Sequence, residues 1–326
     1  MLRGMLLRAL RRVKMAGVRQ AAFGAALAAL ALSGCAGGDS PAPPQAAARA
    51  QTGAKTYTLA QKKLLEIVAA QNGLLDKMGR AERLSTLAAS DLISEKKRVD
   101  SLWNEYFAGE SRDAESYAIY GKYLRATSNP TIAYAAFLKA DALDPSMASV
   151  KHQLAVYEAE NGQFAKAYRH FSEALGLAPD NSVYLSQTAK FLMVARAELA
   201  ASGGFDPAEL DAKMLGCYRK WADASAPNSP AKWECAKAFY QVLSPDWEEA
   251  LARWEDILEN ATISLERQTA LANKARVLIE LRRDAEAREI LGKVDNPHLA
   301  ADRKTLLDVI GAESPARTET TEKKNE

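Results

Sequence analysis

The stretch "LAVYEAENGQFAKAYRHFSEALGLAP", Leu154 to Pro179, decides the fold. Leu154, Ala155, Gly162, Phe164, Ala167, Phe171, Ala174 and Pro179 follow one another at spacings of 1, 7, 2, 3, 4, 3 and 5. At one constant offset upstream, Tyr120, Gly121, Ala133, Phe137, Ala140 and Pro145 stand at the positions of Leu154, Ala155, Ala167, Phe171, Ala174 and Pro179. A period of that length marks a supersecondary unit that is repeated, because one such unit cannot bury its apolar face alone.

Each residue type has a physical reason for its place. Small Ala133 and Ala167 let the second helix of a pair approach the first, and Ala140 and Ala174 do the same toward the next pair. Phe137 and Phe171 fill the space between helices, while Gly162 permits a tight turn. Pro145 and Pro179 end the second helix and open the next unit. The pattern closely resembles the tetratricopeptide repeat, a helix–turn–helix unit of about 34 residues. That resemblance implies an all-α solenoid wound as a right-handed superhelix, with the first helix of each unit lining the concave face.

The pattern extends in both directions. A third unit starts near Ser182, breaks at Gly203-Gly204, resumes at Asp206-Pro207-Ala208-Glu209 and runs to Ser229, well beyond one period. Asp as N-cap, Pro in the first turn and Glu at the third helical position form a helix start. Units four (Pro230–Ser264) and five (about Leu265–Pro297) use Trp233, Tyr240, Ala250, Trp254 and Ile257, then Leu271, Ala275, Leu278, Ala287 and Leu291. Upstream, Val99, Trp103 and Tyr106 precede Ala133, Phe137 and Ala140 by one period and suggest a degenerate unit. The expected division is N-terminal helices with that degenerate unit over 57–113, a solenoid with a capping helix over 114–310, and a disordered tail over 311–326.

The N-terminus reads as an export signal over 1–35. Arg3, Arg8, Arg11, Arg12, Lys14 and Arg19 lead into the apolar run Ala21–Leu32, too short to span a bilayer comfortably. Met15 is an alternative start, and Lys14 argues against a twin-arginine signal. The run ends in Leu32-Ser33-Gly34-Cys35, which resembles the bacterial lipoprotein lipobox. The resemblance implies acyl chains on Cys35 and a membrane anchor. Ala36, where an Asp would retain a lipoprotein in the inner membrane, directs it to the outer membrane, facing the periplasm. Residues 36–56, rich in Gly, Pro and Ala, read as a disordered tether.

Charge excludes one class of partner. Six of the 43 basic residues and none of the 41 acidic ones lie in 1–35, so the remainder carries 37 basic against 41 acidic residues. A mildly acidic body does not bind nucleic acid through bulk charge. No glycine-rich phosphate loop, HExxH, CxxC or GxSxG occurs, so no enzyme, cofactor or metal is expected. His152 and His170 read as solvent-facing, on different helices. For Cys217 and Cys235, on consecutive helices, two readings stay open: a disulfide in an oxidising compartment, or two small buried side chains. Trp221, Trp233, Trp247 and Trp254 read as core packing.

The groove supplies the candidate site. By the resemblance, its inward positions are Ala118, Lys122 and Arg125 in unit one, His152 and Val156 in unit two, Ser186 and Lys190 in unit three, and Glu234 and Ala238 in unit four. Lys122, Arg125 and Lys190 are placed to grip an acidic peptide or a C-terminal carboxylate, with His152 and Ser186 beside them. The similarity to carboxylate-clamp members fails at Lys122 and Val156, where those proteins place Asn. The expected function is a membrane-anchored, non-catalytic scaffold binding an envelope protein or peptide, of the kind found among pilus-assembly, secretion, outer-membrane-assembly and wall-enzyme-activating lipoproteins. A glycan- or peptide-binding lipoprotein is the alternative, and a wall-active enzyme stands behind both.

Overall fold

The computed structural model describes residues 57–84, 89–109, 112–127 and 129–311. The signal segment with Cys35, the tether and the tail after Gly311 lie outside the described residues. Thirteen α-helices and no strand occur among the described residues. The fold is an all-α helix–turn–helix repeat of the tetratricopeptide type. The chain forms two compact units, divided between Pro179 and Asp180.

Unit one holds α1 (Leu59–Leu84), α2 (Ala89–Ala108), α3 (Ala114–Ala126), α4 (Pro130–Leu143), α5 (Ala148–Glu160) and α6 (Phe164–Leu177). The pair α5–α6 repeats the pair α3–α4 at one constant offset, at both ends of both helices. Local chemistry sets those boundaries. The Asp113 carboxylate accepts from the Ser116 N–H at 2.7 Å and caps α3. Pro130 opens α4, and Gly162 turns α5 into α6 with φ +70°. Ala133, Phe137 and Ala140 are buried, as are Ala167, Phe171 and Ala174 one period later. Pro145 and Pro179 are exposed, just beyond the ends of α4 and α6. On α2, Val99, Trp103 and Tyr106 are buried at the same phase.

Among the described glycines, Gly121 on α3 has the closest neighbour. A Cβ added there would stand 2.6 Å from Cε1 of Phe137, whose ring is buried. One period on, Ala155 fills the matching place and is fully buried.

Unit two holds α7 (Ser182–Ala201), α8 (Pro207–Asp223), α9 (Pro230–Ala238), α10 (Trp247–Asn260), α11 (Ser264–Glu280), α12 (Asp284–Gly292) and α13 (Ala300–Gly311). A 3₁₀ turn, Phe239–Gln241, continues α9, and another, Pro297–Leu299, precedes α13. The interval from the start of α9 to the start of α11 equals the repeat of unit one, whereas that from α7 to α9 is longer. Much of the excess is in α7, which has 20 residues against 13 in α5. Its start is capped by Asn181, whose side-chain oxygen accepts from the N–H groups of Val183 and Tyr184. It ends at Ser202, and Gly203 takes φ +78° before Asp206 caps α8. No described helix is long and apolar enough to cross a membrane.

Gly121→Ala tests the close approach. An exposed helical glycine replaced by alanine gains up to about 1 kcal/mol. Here the added methyl overlaps a buried ring that must shift, so the variant loses about 1–3 kcal/mol instead. Urea unfolding should show this loss, and Phe137→Leu in the same chain should recover part of it. A neutral or stabilising Gly121→Ala would show that the two helices separate freely.

Candidate partner-binding surface

The five groove candidates have different fates. In unit one, Lys122 is exposed on α3. Arg125 is spent: its Nη2 donates to Oε1 of Glu160 at 2.7 Å, and its side chain is only 12% exposed. His152 is 3% exposed, which corrects the expectation of a solvent-facing groove residue. The reason lies in α5, where nine of 13 residues are buried and no continuous solvent face remains. The imidazole packs against Phe171 with centroids 5.8 Å apart and planes at 68°. Ala118 and Val156, also expected on the inner face, are buried.

In unit two, Ser186 is half-buried and its hydroxyl donates back to the Val183 carbonyl at 3.0 Å. Lys190, also half-buried, lies over the Trp221 ring with Nζ 5.2 Å from the centroid. Ala238, an expected inner position, is buried in α9. Glu234, expected beside it, is half-buried.

Sequence reasoning misses a polar cluster in unit one. Glu158 on α5 is 1% exposed, and both carboxylate oxygens are engaged. Oε1 accepts from the Tyr134 hydroxyl at 3.0 Å, and Oε2 meets Nδ1 of His170 at 2.7 Å. Tyr134 of α4 stacks on Tyr157 at 4.2 Å, and its phenol pKa is pushed up to about 12, chiefly by burial and then by the bond to Glu158. His170 is half-buried in this cluster rather than free in solvent. The sequence does hold a signal: one period before Glu158 stands buried Leu124, so the acid occupies an apolar register. Nearby, Lys151 of α5 pairs with Asp141 of α4 and Glu173 of α6, both at 2.8 Å.

Unit two has its own braces. Arg196 of α7 pairs with Asp211 of α8 at 2.9 Å and donates to the Gln241 carbonyl at 2.5 Å. Asp211 in turn accepts from the Leu243 N–H at 2.8 Å, which ties the segment after the 3₁₀ turn to α8. Arg219 makes a fork with Glu249 on α10, with contacts of 2.5 to 3.1 Å.

The tryptophans divide. Trp254 is fully buried, with Trp233 edge-on at 5.5 Å. Trp221, Trp233 and Trp247 are half-buried, so core packing describes Trp254 fully and the others in part. Cys217 and Cys235 are two free, buried thiols, and the disulfide reading is not the one adopted. Burial pushes both thiols up, Cys235 to about 11. Among the described residues, no group of three His, Cys, Asp or Glu is placed to hold a metal.

No family model matches the chain. No curated protein matches it either. Among solved structures, it is similar to PilF of Pseudomonas aeruginosa, at 13% identity over 74% of this chain and 99% of that one, with a TM-score of 0.42. It is also similar to the flexible tandem repeat domain of a bacterial cellulose synthase, at 16% identity over 67% of this chain and 100% of that one, with a TM-score of 0.27. At these scores neither likeness bears on function.

The Glu158 cluster and the two thiols can each be tested. His170→Ala removes one partner of a buried carboxylate and should cost about 1–3 kcal/mol in urea unfolding at pH 7. Adding Glu158→Leu, the residue type found one period earlier, should restore most of that loss; no recovery would mean that the imidazole acts by packing alone. In a Cys35→Ser chain, Cys217 and Cys235 should resist alkylation at pH 8, because a raised pKa leaves little thiolate there. Both should react in denaturant without added reductant; failure to do so would restore the disulfide.

Proposed function

We propose that the chain is a non-catalytic, membrane-anchored scaffold of the bacterial cell envelope, held to the outer membrane through lipidated Cys35 and facing the periplasm. The observation that carries this reading is the pairing of a lipobox-like Leu32-Ser33-Gly34-Cys35 with a helical repeat. An acyl anchor of more than one chain fixes the protein to a membrane, since each buried methylene contributes roughly 0.8 kcal/mol. A helical repeat offers an extended surface built from many side chains, which suits a protein or peptide partner. Exposed Lys122 in unit one and half-buried Lys190 in unit two, each expected on the inner face of its own unit, have no acidic partner among the described residues. The other candidates, Arg125, His152 and Ser186, serve internal contacts.

A second reading, a small-ligand-binding lipoprotein, draws on the half-buried Trp221, Trp233 and Trp247. Two of those rings already lie under cations, Lys190 and Lys237, which leaves less free ring face for a ligand.

Two measurements test the proposal. Metabolic labelling with palmitate should mark the wild-type chain and not Cys35→Ala, which should leave the membrane fraction. Cross-linking in the intact envelope should capture a specific protein with the wild type and lose it with Lys122→Glu/Lys190→Glu. An unlabelled, soluble wild type, or a partner indifferent to both charges, would defeat the anchor or the groove respectively.

A further inference from the structure

The second helix of each pair has an outward side, and on α4 that side is apolar. Ile132, Ala135, Leu138, Lys139, Ala142 and Leu143 recur at helical spacing and are all exposed. The three large ones, Ile132, Leu138 and Leu143, are 50%, 42% and 54% exposed. Only Thr131 and Lys139 are polar among the exposed residues of this helix. One period later, α6 keeps Leu177 at the place of Leu143 and sets Lys166 and Arg169 at the places of Ile132 and Ala135, all exposed. The corresponding side of α10 in unit two is acidic, with Glu248, Glu255 and Glu259 exposed and no exposed cation.

α4 and α6 carry these residues on one surface. Glu158 of α5 reaches Tyr134 of α4 and His170 of α6, and Lys151 of α5 reaches Asp141 of α4 and Glu173 of α6. Two bridges through one helix hold α4 alongside α6. Leu138 stands between them, one turn after Tyr134 and one turn before Asp141. On α6, Lys166 stands one turn before His170 and Leu177 one turn after Glu173. The acids of this surface are answered within the chain: Asp141 and Glu173 by Lys151, and buried Glu158 by Tyr134 and His170. Asp144, just past α4, accepts from the N–H and hydroxyl of Ser146. The cations are not answered. Lys139 lies over the Tyr117 ring at 5.3 Å and Lys166 donates to Oε1 of Gln163, and neither these two nor Arg169 pairs with a carboxylate among the described residues.

We infer that the outer face of α4 and α6 rests on an anionic lipid bilayer, so that unit one lies against the membrane that anchors it. This rests on the membrane-anchored reading and adds a second membrane contact to Cys35. Charge complementarity selects the occupant. A second copy docked on the same face would set Lys139, Lys166 and Arg169 against their own like. A bilayer with acidic headgroups meets both halves of the surface: its phosphates take the cations, and the acyl boundary beneath them takes Ile132, Leu138 and Leu143. The chain also supplies proximity. Residues 36–56 join Cys35 to the first described residue and span at most roughly 75 Å. A linked contact needs little affinity of its own, because the tether keeps the local concentration of the second site high.

The test uses the chain from Ala36 onward, which keeps every described residue and lacks the anchor. Co-sedimentation should show it bound to vesicles of phosphatidylglycerol with phosphatidylethanolamine about tenfold more tightly than to vesicles of phosphatidylcholine, with affinity falling as salt rises. Lys139→Gln/Lys166→Gln/Arg169→Gln should remove that preference, and Ile132→Gln/Leu138→Gln should weaken binding about fivefold, both with unchanged helical circular dichroism. Ala252→Gln, on the exposed side of α10, should change nothing. Should a multiple variant misfold, Leu138→Cys carrying a polarity-sensitive dye should shift to the blue with the anionic vesicles, and Ala252→Cys carrying the same dye should not. Equal binding to both vesicles, folded variants that bind like the wild type, or a dye at Leu138 indifferent to vesicles overturns the inference. A protein cross-linked through position 138 while the vesicles go unbound overturns it in favour of a protein partner. The anchor is read separately. Palmitate labelling of the whole chain without vesicle binding by the unanchored one removes this surface and leaves the anchor; vesicle binding without labelling upholds this surface and removes the anchor.

Discussion

The approach of α3 to α4 over Gly121 is the constraint on which the rest of unit one depends. Helices packed through side chains sit about 8–10 Å apart, and the near end of that range requires small residues at the contact. Gly121 lets the Phe137 ring occupy the space where a Cβ would stand, and buried Ala133 keeps α4 small one turn before that ring. The turn between such helices then has little freedom in length. The repetition of the α3 and α4 boundaries in α5 and α6 follows from that geometry, with Ala155, Ala167 and Ala174 as the small residues of the next pair.

A close-packed interior makes its polar exceptions informative. Glu158 sits where the preceding pair has Leu124, yet each carboxylate oxygen has a partner, one on α4 and one on α6. Lys151 joins the same two helices through Asp141 and Glu173. Unit one thus adds directional contacts between α4, α5 and α6 to the apolar ones. A buried ionic group is weak support for net stability, since desolvation offsets most of the attraction. It fixes geometry instead: α5 cannot slide along its neighbours without leaving a buried acid unpaired. The same commitment explains why α5 offers so little to a partner.

The fold is legible in the sequence because a repeat period is a property of spacing, and spacing survives without coordinates. Leu154 to Pro179, read against Tyr120 to Pro145, locates four helices and their turns. The long α7 announces itself through the delay before Asp206-Pro207, where capping chemistry restarts a helix. The site is less legible, for a definite reason. A repeat position predicts which way a side chain leaves its helix, not how closely that helix is enclosed. His152 belongs to a helix with no open face, so a groove position becomes an interior one. Arg125 looks available in the sequence because Glu160, 35 residues away, is a partner that only the folded pairs bring within reach.

Unit two shows how an ion pair differs from a ring contact. Arg219 has both: its guanidinium lies 5.5 Å from the Phe239 ring and forks onto Glu249. Its charge is answered within the chain, so it braces α8 against α10 and has nothing left to offer. Lys190 has the Trp221 ring and no ion pair among the described residues. A ring contact alone therefore does not mark a binding residue; what matters is whether the charge it orients has been neutralised.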